Sequence, residues 1–387
     1  MSSKINIKNP VADRKTGEII PAASLLGISI DGWFVENPCT PTTPDPTGGT
    51  NSYGYCVVHE ESGIHAHLKA LDYHHAMQAD DVPAALNEMT ERFLFERRLL
   101  EALCNGAKLS RIVRILHSGG IDIDTKCSYP HVDFIVFERA DGDLRDVLKF
   151  SKTVDDVWRL NCLKDVSAAL RQLHQPIPRV KDPIAHCDLK PSNSLWFQHQ
   201  ARTKIGDLGS ATGISMAHPH ADVIDVFNDP AYSPPEVQYG FFPDDWRQRF
   251  LSLDLYLLGN LAVFLLDGYN NLTAEIIGRL PLGMRATSEA GNWMGNFHDI
   301  LPHLENKFAM YLGDLESRLS DRLGNDIAAE IVDIVRYLSC PNPYKRGHPK
   351  ARASIHGNPY DLEKVVSAFS LLTVKARARL KTKTKAA

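Results

Sequence analysis

The seven cysteines, at 39, 56, 104, 127, 162, 187 and 340, include no C-x-x-C pair. An odd, scattered set of this kind suggests neither a disulfide framework nor a zinc site, and a reducing, cytoplasmic setting fits it best. The N-terminus lacks the apolar core of a secretory signal, and no uninterrupted apolar run reaches the roughly 20 residues that span a bilayer, so no membrane is expected. An excess of one charge is also missing. Lys+Arg number 43 against 47 Asp+Glu, a formal net charge of -4, which gives no general case for nucleic-acid or membrane binding. No internal repeat is found. What remains is a chain of 387 residues, long enough for a sizeable core and for two lobes.

The chemistry gathers in one stretch, His186 to Gly209. It reads His186-Cys187-Asp188-Leu189-Lys190-Pro191-Ser192-Asn193, then the apolar Leu195-Trp196-Phe197, then Lys204-Ile205-Gly206-Asp207-Leu208-Gly209. An acid, a lysine and an asparagine share one short loop, and a second acid follows after a hairpin-like turn. This is an economical way to place one base and two metal ligands around a phosphate. Asp188 is suited to accept a proton from an attacking hydroxyl, and Lys190 to neutralise charge on the transferring group. Asn193 and Asp207 offer the hard oxygens that Mg²⁺ prefers. The bland reading, two polar surface turns, explains either element alone but not both in order.

These residues resemble the eukaryotic-type (Hanks-type) serine/threonine protein kinases, whose catalytic loop reads H-R-D-L-K-x-x-N and whose metal loop reads D-F-G. The resemblance extends over about residues 28 to 370. It implies an α+β, two-lobed fold, with a β-rich N-lobe carrying one key helix and a mostly α C-lobe. The implied division is a leader over 1–27, N-lobe and hinge over 28–140, C-lobe over 141–374, and a basic tail over 375–387. It also implies ATP as phosphoryl donor, Mg²⁺ as cofactor and a protein as substrate.

Other motifs follow in family order. The run Gly48-Gly49-Thr50-Asn51-Ser52-Tyr53-Gly54 resembles the glycine-rich loop G-x-G-x-x-G, with Gly49 and Gly54 in register and Asn51 where the second glycine stands. Glycines there let backbone N–H groups approach phosphate oxygens. Ala66-His67-Leu68-Lys69 resembles V-A-I-K, and the resemblance makes Lys69 a ligand of the α- and β-phosphates. Of three candidate glutamate partners, Glu91, Glu96 and Glu101, the family pattern E-x-x-L-L-x-x-L selects Glu96. Glu138 and Ala140 would bind adenine through main-chain groups, with Phe137 behind it.

Asp254 would accept backbone N–H bonds from the catalytic loop, and Arg346 would pair with Glu236 in the Pro234-Pro235-Glu236 segment. Residues 210–236 form the activation segment, in which His218 and His220 read as a solvated loop. Two departures stand out. Cys187 replaces the arginine that often receives a phosphorylated activation-loop residue, so activity is expected not to require such phosphorylation. Asp229 replaces the threonine that seats the substrate loop. With Asn51, these departures favour the alternative, a nucleotide-binding pseudokinase acting as a scaffold or regulator. The complete set of Lys69, Glu96, Asp188, Lys190, Asn193 and Asp207 opposes it, since a scaffold has no physical need for all of them. A small-molecule kinase of related fold is opposed by Pro234-Pro235-Glu236 and Arg346.

The elements expected from pattern are one strand over Ile28–Val35, a proline-broken loop at 38–46 and a helix from about Val82 to Leu103. Strands follow at Ile112–Leu116 and Val132–Glu138, then an amphipathic helix from Thr153 to about His174 capped by Thr153 with Asp156. A last helix is expected to end near Val374. The tail beyond it, Lys375 to Lys385, alternates basic and small residues without aromatics. It reads as solvated, and it is the one place where an acidic partner or nucleic acid would be met. No feature names the substrate protein or sets an oligomeric state.

Overall fold

A computed structural model describes the chain apart from residues 1–4, 40–51, 108, 151–153, 178–179, 220–228, 287–290, 355–356 and 387. The chain forms two compact units, Met1–Gly142 and Asp143–Ala387.

The first unit is a six-stranded antiparallel sheet. Its strands are β1 (Ser29–Ile30), β2 (Trp33–Pro38), β3 (Ser52–His59), β4 (His65–Leu71), β5 (Ile115–Asp122) and β6 (His131–Glu138), in the order β1-β2-β3-β4-β6-β5. The single strand expected over Ile28–Val35 is instead a two-residue hairpin. Asp31 and Gly32 both take positive φ, 49° and 81°, the type I′ turn that an Asp-Gly pair favours. The strand expected at Ile112–Leu116 lies further on. Ile112 and Val113 are buried before it begins, and β5 runs through the polar, glycine-bearing His117–Gly120, where composition argues against a strand.

Alternation along β3 and β4 sends Tyr55, Val57, Ala66, Leu68 and Ala70 into one core with Val132, Phe134 and Val136 of β6. The opposite face of β4 carries His65, His67 and Lys69. Residues before 28 are part of this unit: Ala22 and Leu25 lie in the same core, Ile5 bridges to Ile123, and Tyr55 donates its hydroxyl to the Ala22 carbonyl at 2.8 Å. A short turn, α1 (Tyr73–Ala76), leads to the long helix α2 (Val82–Glu101), capped by the Asp81 carboxylate on the Ala84 N–H, with Pro83 in the first turn.

After the two-residue β7 (Gly142–Asp143) and α3 (Leu144–Phe150), the second unit is mostly helical. Helix α4 (Asp156–Leu173) buries Leu160, Leu163, Val166, Leu170 and Leu173, the stripe expected from the sequence. Its cap is Asp155, whose carboxylate accepts from the Trp158 N–H at 2.8 Å, and not the expected Thr153, which lies outside the described residues. Aspartate two residues further along plays the same capping part for the helix as it begins. Short strands β8 (Ile184–Ala185), β9 (Ser194–Phe197), β10 (Arg202–Ile205) and β11 (Thr212–Gly213) pair as β9·β10 and β8·β11. They hold the loops of interest between them.

Helices α5 (Pro235–Gln238), α6 (Ser252–Leu266), α7 (Leu272–Gly278), α8 (Phe297–Leu323), α9 (Asn325–Leu338), α10 (Pro349–Arg352) and α11 (Glu363–Ala386) complete the unit. Every residue of α6 is buried. Among the described residues, one helical stretch, Arg247–Leu266, is long and apolar enough by length and composition to cross a membrane; 94% of its apolar window is buried inside the protein.

The final helix does not stop near Val374 but continues to Ala386. It packs along α4, with Val365, Phe369, Leu372 and Ala376 buried and Lys375 paired with Glu330. The expected tail is therefore a helical continuation whose small residues keep the helix propensity. Lys375 and Arg379 reach Glu330 and Asp326 of α9, and residues 377–381 are exposed, as expected of a solvated stretch.

Close approach of α6 to the end of α9 depends on Gly259. A Cβ there would lie 1.8 Å from Ser339 Oγ and 3.3 Å from Leu338 Cβ. Gly259→Ala is expected to destabilise the helical unit by about 1–3 kcal/mol through overpacking, read as a lower denaturant midpoint by far-UV dichroism. An unchanged midpoint would mean that the two helices separate freely.

Candidate active site

In the first unit, Lys69 on β4 reaches the expected partner. Its Nζ lies 3.0 Å from Glu96 Oε2, and the Glu96 side chain is almost wholly buried. Of the other two candidate glutamates, Glu91 and Glu101 are exposed on α2. Lys69 stands opposite Gly54 of β3 and Ile135 of β6. Gly49 and Asn51 lie outside the described residues. His67, two residues before Lys69 on the same face, has its pKa lowered to about 4, first by burial and then by the charge of Lys69. It is therefore a neutral imidazole at neutral pH. Glu138 ends β6; its N–H donates to the Arg114 carbonyl, and its carboxylate accepts from the Arg114 N–H at 2.8 Å. Ala140 follows in irregular chain.

The second unit gathers Asp188, Lys190 and Asn193 around one carboxylate. Asn193 Nδ2 donates to the Asp188 carbonyl at 2.8 Å and to its Oδ2 at 3.0 Å. Lys190 Nζ lies 3.1 Å from Asp188 Oδ2. Burial pushes the Asp188 carboxyl above its ordinary value; Lys190 opposes this and the charge of Asp207 adds to it. For Lys190, burial disfavours the charge, but Asp188 and Asp229 outweigh it and the pKa is raised.

The loop is positioned from the helical core. Asp254 in the first turn of α6 accepts the His186 N–H and the Cys187 N–H, both at 2.8 Å, one on each oxygen. Accepting two consecutive N–H groups requires the backbone to turn sharply, and Cys187 takes φ 65° to do so. His174 at the end of α4 shares Asp254 Oδ2 at 2.8 Å. His186 Nε2 meets the Gly206 carbonyl at 3.0 Å, and the Gly206 N–H donates to the Asn193 carbonyl, so the two loops are tied together. Asp207 follows with φ 58° and an exposed side chain. The Cys187 thiol is fully buried, and burial raises its pKa well above the ordinary value, which suits a small filler and not a nucleophile.

The donor set fits a magnesium ion. Because Asn193 Nδ2 is committed to Asp188, its amide presents the oxygen, and Asp207 adds an accessible carboxylate in the same pair of tied loops.

Sequence reasoning missed the role of Asp229. Its N–H donates to Asp188 Oδ1 at 3.0 Å, and its carboxylate lies 3.2 Å from Lys190 Nζ. An aspartate does with a charge what a hydroxyl would do neutrally, so the substitution read as a loss keeps the contact. His218 also departs from expectation. It is buried, with Nε2 3.0 Å from the Gly209 carbonyl, and is not part of a solvated loop; His220 lies outside the described residues. Glu236 and Arg346 meet as anticipated, in a bidentate pair of 2.5 Å contacts.

The family model "Protein kinase domain" matches residues 48–351. The chain belongs to the protein kinase family. Among its curated relatives, serine/threonine-protein kinase dkf-1 of Caenorhabditis elegans is 30% identical over 172 residues, covering 42% of this chain and 21% of the relative. Serine/threonine-protein kinase D2 of Rattus norvegicus is 25% identical over 231 residues, 58% of this chain and 22% of the relative. The LRR receptor-like serine/threonine-protein kinase EFR of Arabidopsis thaliana is 28% identical over 132 residues, 33% and 12% respectively. The kinase thus aligns with between 12% and 22% of the length of these three relatives.

Proposed function

We propose that this kinase transfers the γ-phosphoryl group of ATP to serine or threonine hydroxyls of a protein substrate, with Mg²⁺ as cofactor, in a reducing, cytoplasmic compartment. The observation that carries the reading is the buried Asp188 carboxylate, held by Asn193 and Lys190 on a loop anchored to Asp254. Asp188 orients the attacking hydroxyl and takes its proton. Lys190, kept charged by two carboxylates, offsets charge that develops on the transferring group. Asn193 and Asp207 would hold Mg²⁺, and the ion would supply neutralisation of phosphate charge there. Lys69, braced by Glu96, holds the α- and β-phosphates, and main chain near Glu138 and Ala140 meets the adenine. The serine/threonine preference rests on Lys190, two residues after the acid, and on the type of the relatives.

One observation favours the second reading, a nucleotide-binding scaffold. Both Asp188 oxygens already accept from the chain's own donors, Oδ1 from the Asp229 N–H and Oδ2 from Asn193 and Lys190, which leaves a substrate hydroxyl chiefly the second lone pair of Oδ1. Radiolabelled ATP with Mg²⁺ and a generic basic protein separates the two. The wild type is expected to transfer label, and Lys69→Ala to lose nucleotide affinity by roughly ten- to a hundredfold, the worth of a charge-assisted contact. Nucleotide binding by the wild type without any transfer to the basic protein or to itself would favour the scaffold.

A further inference from the structure

Two cysteines distant in sequence meet at the base of the glycine-bearing stretch. Cys39 follows β2 and Cys56 lies on β3, and their sulfurs are 2.9 Å apart. The contact is fixed by strand pairing. Asn37 stands opposite Cys56 and Pro38 opposite Tyr55, and the Cys39 N–H donates to the Gly54 carbonyl at 2.8 Å. Cys39 and Cys56 therefore sit diagonally across a register that hydrogen bonds hold on both sides. Gly54 keeps the room open: a Cβ there would lie 2.9 Å from the His67 ring and 3.6 Å from Cys39 Cβ. Both cysteines are partly exposed. The remaining cysteines show no such contact among the described residues, and Cys162 and Cys187 are buried away from any oxidant.

We propose that Cys39 and Cys56 form a reversible disulfide by exchange with a small-molecule disulfide of the glutathione class, stapling β2 to β3. The sulfurs need to close from 2.9 Å to roughly 2.05 Å, less than the width of one atom, with the strand register already in place. Burial, and then the neighbouring sulfur, push the Cys39 thiol up to about 12, so Cys39 keeps its proton and acts second. The Cys56 sulfur, as thiolate, attacks one sulfur of the small disulfide and expels one thiolate. The Cys39 sulfur then gives its proton to solvent, attacks Cys56 of the mixed disulfide and expels the second. Two protein thiols lose two protons and two electrons, and one small disulfide gains them as two thiols. In a reducing compartment such a bond is transient and reports the redox poise. It closes a ring over residues 39–56, which contains the whole glycine-bearing stretch, and so ties together the two strand ends that flank it.

The test uses the full chain, incubated with oxidised or reduced glutathione, then alkylated, digested without reductant and weighed. The oxidised wild type is expected to lose two hydrogens, to yield a peptide pair linked through Cys39 and Cys56, and to melt on the order of 5 °C higher, all reversed by dithiothreitol. Cys39→Ser is expected to keep a glutathione adduct on Cys56 and to show no rise in melting temperature. Separate adducts on both cysteines of the wild type, or two thiols that remain free under oxidation, would overturn the proposal. Because the readout is a bond and a melting temperature, it stands or falls apart from phosphoryl transfer.

Discussion

Replacing Asp188 by alanine is expected to lower phosphoryl transfer by about 10²–10⁴-fold while leaving nucleotide affinity in place, the range associated with loss of a positioned general base. The size follows from the setting. Asp188 is the centre of the polar cluster, and its neighbours Lys190 and Asn193 have no second carboxylate in the loop to serve the hydroxyl. The carboxyl is held above 3.8, first by burial. Its acid form therefore persists to higher pH than in an ordinary aspartate, and base strength is lost as pH falls through that raised value. The acid limb of the kcat/KM profile, which reports the free enzyme, is expected to lie above the ordinary aspartate range. Asp188→Asn keeps the shape and should be equally impaired. Transfer at the wild-type rate by either variant would remove Asp188 from the chemistry.

Arg346→Ala is expected to have the largest effect on stability, about 3–5 kcal/mol, because it strands a buried carboxylate. The Arg346 side chain is fully buried, and Glu236 nearly so. Besides the two contacts with Glu236, the guanidinium donates to the Cys340 carbonyl at 2.8 Å and lies 4.8 Å over the Tyr256 ring. Lysine cannot reproduce this fork, so Arg346→Lys is expected to fall close to alanine. Replacing both partners by apolar residues, Arg346→Met with Glu236→Leu, should cost less than either single truncation, since no charge is left unpaired. Urea unfolding of the three variants, followed through the helical signal, checks the order. Equal midpoints for wild type and Arg346→Ala would mean that water reaches Glu236 when the arginine is gone.

The charged groups were the most legible part of the sequence. Lys69, Glu96, Asp254, Glu236 and Arg346 each find the partner anticipated for them, because a buried charge admits few solutions and its motif is correspondingly strict. Backbone detail was read less well. The Asp31-Gly32 pair is a hairpin signal, but it lies inside an apolar run whose alternation also fits a single strand. Strand β5 hid because its stability comes from pairing with β6 and not from its own residues. The continuation of α11 to Ala386 is set by packing on α4 and by ion pairs to α9, neither of which a count of basic residues reveals. Asp229 was read by what it replaced and not by what a carboxylate beside Lys190 does. The meeting of Cys39 and Cys56 depends on strand register, which a spacing of seventeen residues does not disclose.

Asp254 has a consequence for how the protein ages under heat or denaturant. The two amide protons it binds, those of His186 and Cys187, lie in the most reactive loop of the chain, yet they are sealed by the first turn of its most buried helix. Such protons exchange with solvent only when that helix itself comes apart. The loop should therefore rank among the slowest-exchanging segments of the molecule, not among the fastest as surface loops do. Inactivation by heat should then coincide with collapse of the core and not precede it as a separate, milder event.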